Sequence, residues 1–230
     1  DSLSGRMLPK LFINVEMMHN VGVDKMPETL DEFYDLLVKV RENDANGNGD
    51  PNDEVGIVTN TLDRYINLFS GAFGIHNRGR EDMLVDADPA DETKIRFVYT
   101  TDEYRALLSF VNRLYEEKLI DQNMLTPSTS NMVALGSQNQ IFGLAYHSLA
   151  AAGIDEADYI GMDEPIQGPD GYKAWNTTDS GIYKGAFVIS ANCKQPEMLV
   201  KWIDNLYTYE GSLLINFGKE GEDWHYNEQH

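Results

Sequence analysis

Apolar and polar positions alternate in two distinct periods along this chain. Leu11–Val15 and Gln140–Tyr146 are short apolar runs of strand length, and Ile95–Tyr99 alternates with period two. Between them the period is helical. Leu30, Phe33, Leu37 and Val40, flanked by Tyr34 and Val38, form one stripe. Thr29 with Glu32 three residues later is a capping box that opens this helix, and the stripe ends at Asp44. Met17–Val21 reads as a helical turn stopped near Gly22, and Arg64–Phe73 as a helix stopped by Gly74. Thr100 with Glu103 predicts the start of a long helix with Tyr104, Leu107, Leu108, Val111, Leu114 and Tyr115 on one face. Asn131–Leu135 predicts a short helix.

From Gly153 to Ser180 the chain is rich in Gly, Pro and Asp and reads as a connection with one strand in it. Gly185–Ser190 is expected to be a strand. Pro196 opens a helix with Leu199, Trp202, Ile203 and Leu206 on its apolar face, Trp202 being expected in the core. Tyr209–Ser212 reads as a kink or turn before a last helix that stops at Gly218. Strands separated by long helices predict an α/β architecture, and no fixed-period repeat is visible.

Composition narrows the function. With 42% hydrophobic and 10% aromatic residues in 230, the chain can bury a sizeable core. A formal charge of −20 argues against nucleic acid and anionic membrane surfaces as direct partners. One cysteine, Cys193, allows no internal disulfide and reads as an inert thiol. No apolar run approaches the ~18 residues of a membrane span. The chain opens at Asp1 with neither a start Met nor a signal segment, and strand pattern follows almost at once. It is therefore read as a fragment whose N-terminal part is missing.

The segment Asp44–Glu54 carries the clearest chemistry. Asp44, Asn46 and Asn48 place oxygen donors at alternate positions, Gly49 sits at a sharp turn, and Asp50 offers its carbonyl. A calcium ion takes six to eight oxygens at about 2.3–2.6 Å, and an EF-hand loop supplies them at this spacing. The twelfth position is Val55 rather than Glu, so Asp53 and Glu54 are the expected closing carboxylates. The plainer alternative is a solvated Asx turn, against which the ordered alternation of acids and amides favours a metal. A structural Ca²⁺ is expected, pinning the C-terminal end of the preceding helix.

Enzyme motifs are lacking: the sequence holds no GxSxG elbow, phosphate loop or HExxH pair, and its five histidines are scattered. Aromatic residues near element ends can stack on sugar rings. Tyr65, Tyr146, Trp175 and Tyr183 are such candidates, with His147 beside Tyr146, and ordinary packing is their alternative role.

Three segments in series resemble the extracellular solute-binding proteins of carbohydrate ABC transporters, in their oligosaccharide and lipoprotein branch. These are Lys25–Tyr34 followed by the Asp44–Glu54 loop, Cys193–Glu197 with Trp202-Ile203-Asp204, and Tyr209–Ser212 with Asn216–Gly221. The resemblance implies a type II periplasmic-binding-protein fold, with a mixed sheet flanked by helices and an incomplete second lobe. It places the main lobe at 1–158 and a segment returning toward the other lobe at 159–230. It implies a calcium loop of Asp44, Asn46, Asn48, Asp50, Asp53 and Glu54 away from the cleft. It implies a non-enzymatic, extracellular or periplasmic receptor that takes an oligosaccharide, closes its lobes on it and delivers it to permease subunits. A membrane is met only through a lipid anchor outside this chain. Two alternatives stand beside it: a polysaccharide-active glycoside hydrolase or lyase with a calcium loop, and a dockerin-type calcium module, for which a second loop is missing.

Overall fold

The computed structural model describes residues 11–75, 85–176 and 187–225. The chain forms two compact units, Asp1–Ile182 and Tyr183–His230.

The first unit is built on a four-stranded sheet in the order β2-β5-β1-β6, from β1 (Leu11–Asn14), β2 (Val55–Val58), β5 (Ile141–Ala145) and β6 (Tyr159–Gly161). β2 and β5 are parallel, with Val55 opposite Ile141 and Val58 opposite Leu144. β1 is antiparallel to both β5 and β6. Every residue of β5 is buried, as its continuous apolar run requires of a central strand. A larger core gathers Phe142 and Ala145 with side chains of the helices α1 (Val15–Asn20), α2 (Leu30–Glu42), α3 (Leu62–Ser70) and α4 (Asp102–Glu116). A smaller one gathers Ile141 and Leu144 with Met132 of α5 (Thr129–Ser137), Tyr146, Leu149 and Tyr159. The sheet is thus a mixed layer flanked by helices.

The capping box at Thr29 forms as expected. Thr29 Oγ1 accepts from the Glu32 N–H at 3.2 Å, and Glu32 Oε2 accepts from the N–H groups of Glu28 and Thr29 at 2.8 and 3.3 Å. The second cap lies one residue later than expected. Thr101, not Thr100, accepts from the Tyr104 N–H at 3.2 Å, while the Thr100 hydroxyl donates back to the Phe97 carbonyl. Gly74 ends the helical run after α3 with φ of 71°, in the left-handed region that glycine tolerates. Gly56 serves close approach: a Cβ there would stand 2.1 Å from the Leu119 carbonyl oxygen. That contact lets the segment after α4 lie against β2, where Ile120 bridges Ile57 and the Asp121 N–H donates to the Ile57 carbonyl.

A two-stranded hairpin, β3 (Val85–Asp88) and β4 (Asp91–Phe97), precedes α4. The strand expected at Ile95–Tyr99 begins earlier and gives way to a 3-10 turn at Val98–Thr100. Leu107, Val111 and Leu114 face the core from α4, whereas Leu108 turns outward.

The second unit holds α6 (Pro196–Asp204), a 3-10 turn and α7 (Tyr209–Phe217). Tyr209–Ser212 is the first turn of α7 itself rather than a kink or turn ahead of it, because Thr208 caps it, accepting from the Gly211 N–H at 3.0 Å. Phe187–Ser190 is not a strand, and the first two residues of that expected strand lie outside the described residues. Trp202 is 58% exposed, contrary to the expectation of a core position. No described residue of this unit is buried, since so short a chain has too few elements to cover its own helix faces.

Candidate functional site: an oxygen-rich loop and a sheet edge

The loop between α2 and β2 is organised by its own carboxylates. Asp44 accepts from the N–H groups of Asn48 and Gly49 at 3.0 and 2.8 Å. Asn46 Oδ1 accepts from the Asn48 N–H at 3.0 Å, and Asn48 Oδ1 from the Asp50 N–H at 2.8 Å. Asp53 reaches back across the loop. It accepts from the Asn46 and Asn48 side-chain amides at 3.3 and 2.7 Å and from Gln140 at 2.8 Å. Glu54 does the same, its Oε1 accepting from the N–H groups of Ala45 and Asn46 at 2.6 and 3.3 Å. Both expected closing residues therefore turn into the loop, while the Asp50 carboxylate faces outward to Asn52. Gly47 and Gly49 take φ of 72° and 96°, which lets the backbone wind this tightly.

Among the described residues, no group of three or more His, Cys, Asp or Glu side chains converges as a metal cage. The donor set here is mixed, with two amides among the carboxylates, and one oxygen in it is orphaned. Glu54 Oε2 is buried with no hydrogen-bond partner, a costly state for a carboxylate oxygen unless a positive group meets it. Hard oxygen donors with one orphan fit a calcium ion.

A second constellation lies at one edge of the sheet. Because β2 and β5 are parallel, the residues after each emerge together at their carboxyl ends. After β2 come Thr59, Asn60 and, on the first turn of α3, Arg64; after β5 come Tyr146 and His147. Arg64 donates to Asn60 Oδ1 at 2.6 Å and lies over the Tyr146 ring, 4.9 Å from its centroid. Burial lowers the Arg64 pKa and the neighbouring Tyr146 opposes that shift, though the guanidinium stays charged. The Tyr146 and His147 rings stand 4.0 Å apart, Tyr146 8% exposed and His147 open to solvent. The Thr59 hydroxyl is buried without a hydrogen-bond partner. In open α/β sheets ligands collect outside the carboxyl ends of the strands. Here that place offers a cation, an imidazole, an amide, a hydroxyl and an aromatic edge.

The other candidates lie apart from this group. Tyr65 is 0% exposed, with its hydroxyl donating to the Ile57 carbonyl at 3.3 Å, and burial pushes its pKa well above the ordinary tyrosine range. It is a core residue. Trp175 is half-buried against the larger core, beside Leu68 and Met162. Tyr183 lies outside the described residues. Sequence reasoning passed over Thr59, Asn60 and Arg64, although a polar segment directly after the apolar Val55–Val58 run was a signal for a strand's carboxyl end.

A helix-flanked mixed sheet with polar groups gathered at the ends of parallel strands is the architecture of a lobe of periplasmic solute-binding proteins. Residues 6–212 match the bacterial extracellular solute-binding protein family, and the chain belongs to that family. It is 27% identical over 221 residues to the fructooligosaccharide ABC transporter substrate-binding protein FusA of Streptococcus pneumoniae, covering 92% of this chain and 38% of FusA. Lipoprotein LipO of Bacillus subtilis is also 27% identical, over 93% of this chain and 43% of LipO. The chain thus spans less than half the length of these curated relatives. Among solved structures, FusA in complex with kestose superposes with a TM-score of 0.73 at 24% identity, over 97% of this chain and 45% of FusA. An EF-hand mutant of FusA with fructo-nystose gives 0.72 at 24%, over 97% and 45%. An HMO-binding solute-binding protein of Bifidobacterium longum infantis gives 0.74 at 22%, over 95% of this chain and 46% of that protein. At these identities the structures establish the fold.

Proposed function

We propose that this chain is the greater part of one lobe of an ABC importer's extracellular receptor, and that its solute is an oligosaccharide held without chemical change. The observation that carries this reading is the cluster of Arg64, Asn60, Thr59, Tyr146 and His147 at the carboxyl ends of two parallel strands. A sugar ring has an apolar C–H face and a rim of hydroxyls. An aromatic edge beside directed donors and acceptors suits both. Family membership supports the transport role, and the relatives' names support a carbohydrate cargo. Capture follows from solute contacts that exist only when a second lobe closes, which shifts the open and closed populations.

The main lobe proposed from the sequence at 1–158 sits within a first compact unit that includes β6 and runs to Ile182, and the chain beyond that unit is proposed to lead toward the other lobe. Permease subunits are the proposed partners and a cell-surface or periplasmic location is proposed with them, supported by the family and by the lipoprotein relative. Trp175 and Tyr183 stay proposed as solute contacts. Tyr65 acts only indirectly, by fixing α3 against β2.

Calcium is proposed for the Asp44–Glu54 loop, with Asp44, Asn46, Asn48, Asp53 and Glu54 as side-chain ligands and Asp50 through its carbonyl. The orphaned Glu54 oxygen and the EF-hand of FusA support it. A bound ion would neutralise clustered carboxylates and lock the turn from α2 into β2, a structural rather than catalytic service.

Titration calorimetry of the intact receptor against a panel of neutral oligosaccharides tests the reading. One-to-one binding with the sugar recovered unchanged is expected. Cleavage of the sugar would favour the polysaccharide-active enzyme instead.

A further inference from the structure

The turn between α5 and β5 reaches the oxygen-rich loop from outside it. Gln140 ends that turn, next to Ile141 at the head of β5, and its carbonyl accepts from the Val55 N–H at 2.8 Å. This bond brings the turn alongside Asp53 and Glu54, which lead directly into β2. From there Gln140 Nε2 donates to Asp53 Oδ2 at 2.8 Å, across 87 residues of sequence. Asn139 supplies a second contact, its carbonyl accepting from Asn46 Nδ2 at 3.1 Å. Asn139 is itself held in place. Its φ of 53° lies in the left-handed region, where asparagine is enriched among non-glycine residues. Its N–H donates to the Gly136 carbonyl at 3.0 Å. Its Oδ1 accepts from Asn14 at 3.3 Å, and Asn14 is 1% exposed and fixed as the cap of α1.

These contacts decide which oxygens the loop has left to offer. A side-chain amide has two N–H hydrogens. Asn46 gives one to the Asn139 carbonyl and one to Asp53 Oδ1 at 3.3 Å, so its own oxygen is turned into the loop, toward the Asn48 N–H. Asp53 Oδ2 accepts from both Gln140 and Asn48, at 2.8 and 2.7 Å. Asp53 Oδ1 accepts only the long bond from Asn46 and keeps capacity for a further partner. The donors are neutral throughout. Among the described residues no Lys or Arg pairs with Asp44, Asp53 or Glu54. The negative charge of the loop is therefore organised by amides and left uncancelled. A lysine in place of Gln140 would donate to Asp53 as well, but would bring the cancelling charge with it.

We infer that Gln140 is a positioning residue for the calcium loop: it fixes the Asp53 carboxylate through Oδ2 and, being neutral, leaves Oδ1 and the carboxylate's whole charge to a divalent cation. The Asn139 carbonyl does the same for the Asn46 amide. This rests on the calcium reading above. Its consequence is that the affinity of the loop for calcium depends on a residue far outside it in sequence, one that supplies no ligand of its own.

The test is calorimetric titration of the intact receptor with Ca²⁺, together with melting temperatures in chelator. Gln140→Ala is expected to weaken calcium by about tenfold to a hundredfold, the usual effect of removing a group that orients a metal ligand. Gln140→Lys keeps a donor and adds a charge. It should weaken calcium at least as much, while its melting temperature in chelator does not fall below that of the wild type. A merely structural need for a donor at this position would instead be met by the lysine, with calcium affinity kept. Wild-type calcium affinity in either variant would overturn the positioning role and leave the calcium loop in place. Absence of calcium binding by the wild-type protein would overturn the calcium reading and this inference together.

Discussion

Glu54 does two jobs from one carboxylate. Its Oε1 holds two backbone N–H groups of the loop, and its Oε2 is buried without a partner. Removing the side chain as Glu54→Ala frees both donors and is expected to cost about 1–3 kcal/mol of stability, read by urea unfolding. If calcium meets the orphaned oxygen, saturating Ca²⁺ raises the melting temperature of the intact protein by several degrees and a chelator reverses it. Glu54→Gln should abolish most of that rise. A melting temperature indifferent to calcium would remove the ion from the loop. Tyr159 offers a second residue-scale test. Its hydroxyl donates to the Ile141 carbonyl, and burial pushes its pKa up to about 12 from 10.0, with Asn14 opposing and Asp158 assisting. A raised pKa in the folded state means its stabilisation is complete below pH ~10 and is lost as pH rises from there toward 12. The loss should be on the order of 2–3 kcal/mol. Tyr159→Phe is predicted to flatten this alkaline limb of the stability profile.

At the scale of elements, α2 was legible from residues alone. Its stripe, its capping box and its end at the loop all depend on neighbours within four positions, and local chemistry decided them. Thr29→Ala should therefore cost about 1 kcal/mol, measured by thermal unfolding, whether or not any solute is present. The hairpin β3–β4 was mostly illegible. Val85–Asp88 alternates an apolar residue with Asp, but Asp91, Thr93 and Lys94 break the pattern in the partner strand. Its pairing is decided by Arg96 reaching Asp86 and Glu103, contacts that no period announces. The Arg64–Tyr146 contact was missed for the same reason. The two residues lie far apart in sequence and meet only because β2 and β5 pair in parallel register. Tyr65 shows the converse error: an aromatic residue near a strand end looked like a ligand contact, yet it faces inward from α3.

At the scale of the molecule, the first unit closes its own core, while the second leaves Trp202, Leu214, Ile215 and Phe217 exposed. The apolar stripe of α6 was legible, but what covers it was not, since burial depends on parts that a stripe does not specify. The proposed solute site belongs to this scale, at the carboxyl ends of β2 and β5 with Arg64 supplying the charged donor. The most direct measurement is calorimetric binding of a neutral oligosaccharide to the intact receptor and to its Arg64→Ala variant. One site per molecule is expected, with the sugar recovered unchanged and a loss of roughly tenfold to a hundredfold in affinity for the variant, as for a lost hydrogen bond to a charged group. Equal affinity in the two proteins, at equal melting temperature, would contradict it.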